Sequence, residues 1–232
     1  MSWYSKVVWR EGLFLRPHHL QQSDRYLERL VESRTRHITP YPWGFSHLEI
    51  DHDLAQQSKF SLRRAVGMMP DGTPFDVPGD SPLPTPINVP DNAGGQVVWL
   101  TMPAAASNTR EVDHRTNGSA SRFNEGAETI IDSTSELRSE QEIDLAYPRL
   151  AFELRRTPKP GFLNLGVARI LEIRDKLIIF DEKFAPPILV CSAHPIVNGW
   201  LDRVIGWIDN KLEELARYAA DPTAGGGLQS VD

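Results

Sequence analysis

The chain has 232 residues, 40% of them hydrophobic and 24% charged, which is an ordinary globular composition with room for one large domain or a domain plus an appendage. Lysine and arginine number 25 against 31 aspartate and glutamate, so the net charge of −6 excludes a broad basic footprint for nucleic acid. A single cysteine, Cys191, rules out an intrachain disulfide, and no apolar run nears the ~20 residues of a membrane span.

The first nineteen residues are broken by charges before a long apolar run forms, so they do not read as a secretory signal, and the cytoplasm is the expected compartment. Residues 3–15 are rich in aromatic and branched side chains, among them Trp3, Tyr4, Val8 and Trp9, with Gly12 as punctuation. They predict a strand or an extended arm whose aromatics either form a contact surface or cap the core. Pro17 suits the first turn of a helix, and Leu20, Leu27, Leu30 and Val31 recur with helical spacing. The expectation is a helix over about 17–35 with one face buried, ended by Pro40-Tyr41-Pro42-Trp43-Gly44.

Beyond this point the period becomes two. Leu48 and Ile50 alternate with polar residues, as do Phe60 and Leu62, and Asp71-Gly72 supplies the positive φ of a hairpin leading to Phe75 and Val77. The prolines from Pro78 to Pro90 predict an extended connection without regular pairing. Val97–Leu100 reads as a central strand and residues 104–126 as a mobile loop or irregular excursion. Strands are expected again near Ala127–Ile131 and Ile143–Leu154, the latter with Pro148 marking an edge or bulge. Leu163–Ile173, a turn at Asp175-Lys176 and Leu177–Phe180 form a hairpin. The fold class is mainly β: a β-sandwich with an N-terminal helix, followed by a long C-terminal amphipathic helix.

That last helix starts near Pro195, preceded by Ser192 or His194. Its apolar residues include Trp200, Leu201, Val204, Trp207, Ile208, Leu212 and Leu215, at steps of three and four with a second seam through the two tryptophans. So wide a stripe fits insertion into a bundle, with docking on the chain's own β-domain as the alternative. After Asp221-Pro222 a Gly-rich run predicts a helix stop and a linker.

The sequence carries few groups arranged for chemistry. No phosphate loop, dinucleotide fingerprint or nucleophile elbow occurs. His18-His19 point about 100° apart on a helix, which suits capping better than one metal ion. Asp51-His52-Asp53 reads as a solvated turn, Arg63-Arg64 and Arg155-Arg156 as solvated strand edges, and Cys191 as a buried structural thiol. The expectation is therefore no enzyme, no cofactor and no metal.

Several stretches resemble one family. Val8-Trp9-Arg10-Glu11-Gly12-Leu13-Phe14-Leu15-Arg16-Pro17-His18-His19-Leu20-Gln21-Gln22, then Asp24-Arg25-Tyr26, is similar to the N-terminal signature of the TssK family of type VI secretion baseplate subunits, also called VasE or ImpJ. His18 and Leu20 stand where that signature usually has Gln and Phe. Pro70-Asp71-Gly72-Thr73, Pro82-Leu83-Pro84 and Phe184-Ala185-Pro186-Pro187 extend the resemblance.

The resemblance implies a structural, trimeric adaptor: a β-sandwich shoulder that grips the TssF–TssG wedge, a helical neck, and a head that meets TssL and TssM at the cytoplasmic face of the inner membrane. Residues 1–190 would be the shoulder and 191–232 the start of the neck with a Gly-rich linker, without the head. Trp200, Leu201, Val204, Trp207, Ile208, Leu212 and Leu215 would form the homotrimer interface, and Trp3, Tyr4 and Trp9 the wedge contact. The shoulder's likeness to phage receptor-binding proteins leaves a receptor- or carbohydrate-binding module as the alternative.

Overall fold

The computed structural model describes residues 4–106, 109–113, 121–134 and 138–220. Trp3, the Asn117-Gly118-Ser119 loop and the Gly-rich run after Asp221 lie outside the described residues.

An extended arm, not a strand, precedes helix α1 (Pro17–Arg36). Strand β1 (Gly44–Ile50), the short helix α2 (His52–Ala55), β2 (Lys59–Phe60), β3 (Leu62–Met68) and β4 (Pro74–Val77) follow. β1, β3 and β4 make an antiparallel three-stranded sheet. The β3–β4 turn closes where expected: Met69 N donates to Thr73 O at 2.8 Å, and Gly72 takes φ 87°. Within the proline run the chain does pair briefly, because Ile87–Asn88 (β5) lies beside β2.

The second sheet is built on β6 (Val97–Pro103), which is central as its unbroken apolar run predicts. Next come β7 (Val112–Asp113), β8 (Phe123–Ile131), β9 (Glu140–Pro148), β10 (Ala151–Arg155), β11 (Phe162–Arg174) and β12 (Leu177–Phe180). The order β10-β6-β11-β12 is antiparallel throughout. The β11–β12 turn has positive φ at both Asp175 and Lys176, the geometry of a two-residue hairpin loop. The expected irregular excursion is shorter than 104–126: β7 and the first four residues of β8 fall inside it. β8 and β9 form a largely exposed ribbon, and Pro148 ends the edge strand β9.

The two main sheets share one apolar core. Phe45, Leu62, Ala65 and Val77 meet Val98, Leu100, Met102, Leu165 and Ile170 there, all essentially inaccessible to solvent. Phe60, on β2, packs on the two edge strands of the second sheet, its ring 5.2 Å from Phe152 on β10 and 6.1 Å from Phe180 on β12. Arg63 and Arg64 lie on the middle strand β3 and not at an edge, paired with Asp53 and Glu49, and with Asp76.

The chain leaves the sandwich beside β1. Phe45 N donates to Pro187 O and Leu189 N to Phe45 O, a parallel bridge that pins the Pro186-Pro187-Ile188 segment. Gly44 makes this approach possible, since a Cβ there would lie 2.7 Å from the Pro187 carbonyl. A 3₁₀ turn (Cys191–Ala193) then leads into helix α3 (Pro195–Ala220). Cys191 is exposed, contrary to expectation, because it sits on this turn outside the core.

Candidate functional site: outward-facing helices

Helix α3 begins on His194, whose extended backbone carbonyl accepts from Val197 N and Asn198 N at 3.2 Å, with Pro195 preset for the first turn. Burial pushes the His194 imidazole below its ordinary value, and its buried Nδ1 has no hydrogen-bond partner among the described residues. From this anchor the helix runs 26 residues, roughly 39 Å.

At 100° per residue, the positions from Ile196 to Leu215 divide cleanly. Ile196, Val197, Trp200, Leu201, Val204, Ile205, Trp207, Ile208, Leu212 and Leu215 fall within an arc of about 180°. Asp202, Arg203, Asp209, Asn210, Glu213 and Arg217 occupy the opposite side. The apolar arc is not covered by the sandwich: the seven predicted interface residues are 43–67% exposed. The helix packs chiefly on the 3₁₀ turn before it, so the alternative of docking on its own β-domain is not what forms. Val204, Trp207, Ile208, Leu212 and Leu215 line a shallow trough together with Lys211. Lys211 Nζ lies 2.6 Å from Glu214 Oε2, which holds the ammonium above and the carboxyl below their ordinary ranges.

The N-terminal segment forms a second exposed surface. Gly12, at φ 76°, reverses the chain so that the arm runs back along α1. Ser5 O accepts from Gln22 Nε2 at 2.7 Å, Lys6 lies over the Tyr26 ring, Arg29 over the Tyr4 ring, and the rings of Trp9 and His19 are 6.3 Å apart. Tyr4 and Trp9 are brought to one helix and remain exposed at 44% and 52%. They do not cap the core.

The expected burial of one face of α1 does not occur, and no residue of this helix is buried. The reason lies in its inward side chains. Arg25 pairs with Glu111 at 3.6 Å, and Glu32 faces the Asp71-Gly72 turn. Arg122, close by, holds Asp71 and Thr73, each at 2.7 Å. Glu28 has its carboxyl raised, first by burial and then by Glu111 and Asp24, against the lowering pull of Arg122 and Arg25. Polar groups thus dock α1, while Leu20, Leu27 and Val31 face outward, 51–60% exposed.

The candidate chemical groups go separate ways. His19 Nδ1 accepts from Arg16 N at 3.1 Å, a capping contact. Asp51 caps α2 through the amides of Asp53 and Leu54, Asp53 pairs with Arg63, and the His52 ring meets Phe180. Among the described residues no cluster of His, Cys, Asp and Glu is arranged to hold a metal ion. No described helix is long and apolar enough to cross a membrane.

Comparison with known proteins places this arrangement. A family described as bacterial type VI secretion, with the names EvfL, ImpJ and VasE, matches residues 19–232. The chain is 35% identical over its whole length to the type VI secretion system baseplate component TssK1 of Pseudomonas aeruginosa, of which it covers 53%. A crystal structure of TssK superposes with a TM-score of 0.83 at 30% identity, over 96% of this chain and 51% of that one. A chain in a cryo-electron-microscopy structure of a TssK-TssF-TssG baseplate subcomplex superposes equally well, at 21% identity over 92% of this chain and 72% of the other, a likeness of fold. The chain thus spans about half the length of the curated relative it matches. A sandwich with an uncovered amphipathic helix, matched from end to end in sequence and in fold, belongs to the VasE/ImpJ family of bacterial type VI secretion.

Proposed function

We propose that this chain is a structural component of the type VI secretion baseplate, in which it connects and does not catalyse. Residues 1–190 act as the shoulder that meets the TssF–TssG wedge. Residues from 191 onward begin a neck in which three copies associate through Trp200, Leu201, Val204, Trp207, Ile208, Leu212 and Leu215. The observation that carries the reading is the apolar half of α3, left uncovered by its own sandwich. Burying one such side chain is worth roughly 1.5–3 kcal/mol, so a few of them decide whether the helix is held.

Tyr4 and Trp9, together with Trp3, are the proposed wedge contact, because rigid exposed aromatics on a braced arm suit an anchor. In this reading the link to TssL and TssM, at the cytoplasmic face of the inner membrane, runs through the head of the whole adaptor. The exposed aromatics also favour one rival, a phage-type receptor- or carbohydrate-binding module. The experiment is capture of a co-expressed TssF–TssG pair by the chain, with Trp9→Ala alongside and a glycan array run in parallel. Capture that weakens by about 2 kcal/mol or more in Trp9→Ala supports the wedge contact. No capture of either protein, with a glycan hit, overturns the baseplate reading in favour of its rival.

A further inference from the structure

The apolar arc of α3 is interrupted by one charge near its middle. Leu201, Ile208 and Leu215 repeat every seven residues, and so does the row Val197, Val204, Lys211 and Tyr218 beside them. These two rows have the spacing of a helical seam, and Lys211 stands in it where valine stands in the preceding turns. Trp200 and Trp207 flank the seam on one side and Ile205 and Leu212 on the other, so the apolar cover is otherwise continuous. Lys211 reaches Glu214, which lies one turn further on at the margin of the arc. The other ion pair of α3, Arg217 with Glu213, sits on the polar side.

We propose that Lys211, with Glu214, fixes the register and copy number of α3 self-association; this rests on the reading of α3 as the surface where copies of the chain meet. A closed ring of identical chains places the equivalents of each residue at one level along its axis. The lysines and glutamates of all copies then gather within one helical turn, about 4.5 Å of rise, as a neutral ring. A slip of one seven-residue unit between neighbouring helices would set one Lys211 against Val204, a charge amid apolar side chains, ten residues or about 15 Å of rise from that neighbour's Glu214. With leucine at 211 the seam would carry no such penalty, and shifted or differently numbered assemblies would compete. The lysine lowers the strength of association and raises its uniqueness.

The test is native mass spectrometry and light scattering across a concentration series on the full chain. Lys211→Leu is expected to associate at about tenfold lower concentration yet as a mixture of masses. Glu214→Lys is expected to need about tenfold more protein, and the exchange pair Lys211→Glu with Glu214→Lys to regain the parental mass. An unmelted sandwich by circular dichroism accompanies each variant. A trimeric parent whose Lys211→Leu variant forms the same single mass, or an exchange pair no better than Glu214→Lys alone, overturns the role of Lys211 only. A parent that stays monomeric at every concentration overturns the self-association reading and this proposal with it.

Discussion

At the scale of single residues, two positions set how the outward helices are held. Gly44 lets the Pro186-Pro187-Ile188 segment lie against β1, and both its φ of 129° and the 2.7 Å approach of Pro187 exclude a side chain. Gly44→Ala is expected to cost about 1–3 kcal/mol by overpacking. Thermal denaturation measures the loss. Hydrogen exchange would locate it at β1 and at the turn before α3. Glu28 works in the opposite sense. Its carboxyl is raised above 4.5 by burial and by neighbouring acids, so at neutral pH the docked α1 holds an unfavourable charge. As pH falls through the raised value the docked state takes up the proton first, and docking strengthens until the free carboxyl also titrates near 4.5. Amide protection factors over Pro17–Arg36, corrected for the intrinsic exchange rate at each pH, should therefore rise on acidification from neutral pH, and Glu28→Gln should raise them at neutral pH and flatten the rise.

At the scale of elements, α3 carries two further expectations. Its origin depends on a neutral His194. Because the folded imidazole lies below 6.5, stability at the junction is full above that pH; as pH falls below 6.5 the unfolded state binds the proton first and the stability is lost. Amide protection factors near Pro195, corrected for the intrinsic exchange rate at each pH, should drop on acidification below pH 6.5, and a His194→Gln variant should not respond. Gly206 lies on the polar side, and a methyl group added there would meet nothing within 4 Å. Gly206→Ala should stabilise the helix by up to about 1 kcal/mol without changing the mass in solution. The spacing of apolar residues made α3, the hairpins at Gly72 and Asp175-Lys176, and the central β6 legible, since in each the local period or turn chemistry agrees with the tertiary role. The direction in which α1 faces was not legible: Leu20, Leu27 and Val31 carry helical spacing whether they point to a core or away from it, and only Arg25 against Glu111 and Glu32 against the Asp71-Gly72 turn decide it. Cys191 and the start of β8 were missed for a related reason. Cys191 ends the apolar run Ile188-Leu189-Val190, which reads as core although Leu189 and Val190 are exposed, and the polar start of β8 has no period strong enough to mark a strand.

At the scale of the whole molecule, one sandwich core supports two unpartnered apolar surfaces, the arm with α1 and the long α3. Removing Phe60, fully buried in the core that both sheets share, should cost about 3–5 kcal/mol as Phe60→Ala and lower the melting of both sheets together. The same variant should leave the spacing of the α3 face unaltered. The central claim, that the apolar half of α3 gathers copies of the chain, is tested most directly by molar mass from light scattering over a concentration series, on the parent and on Val204→Asp and Leu212→Asp. The parent is expected to be a trimer at high concentration and both variants monomers, with the sandwich folded in all cases. Variants as oligomeric as the parent, or a parent that remains monomeric throughout, would contradict it.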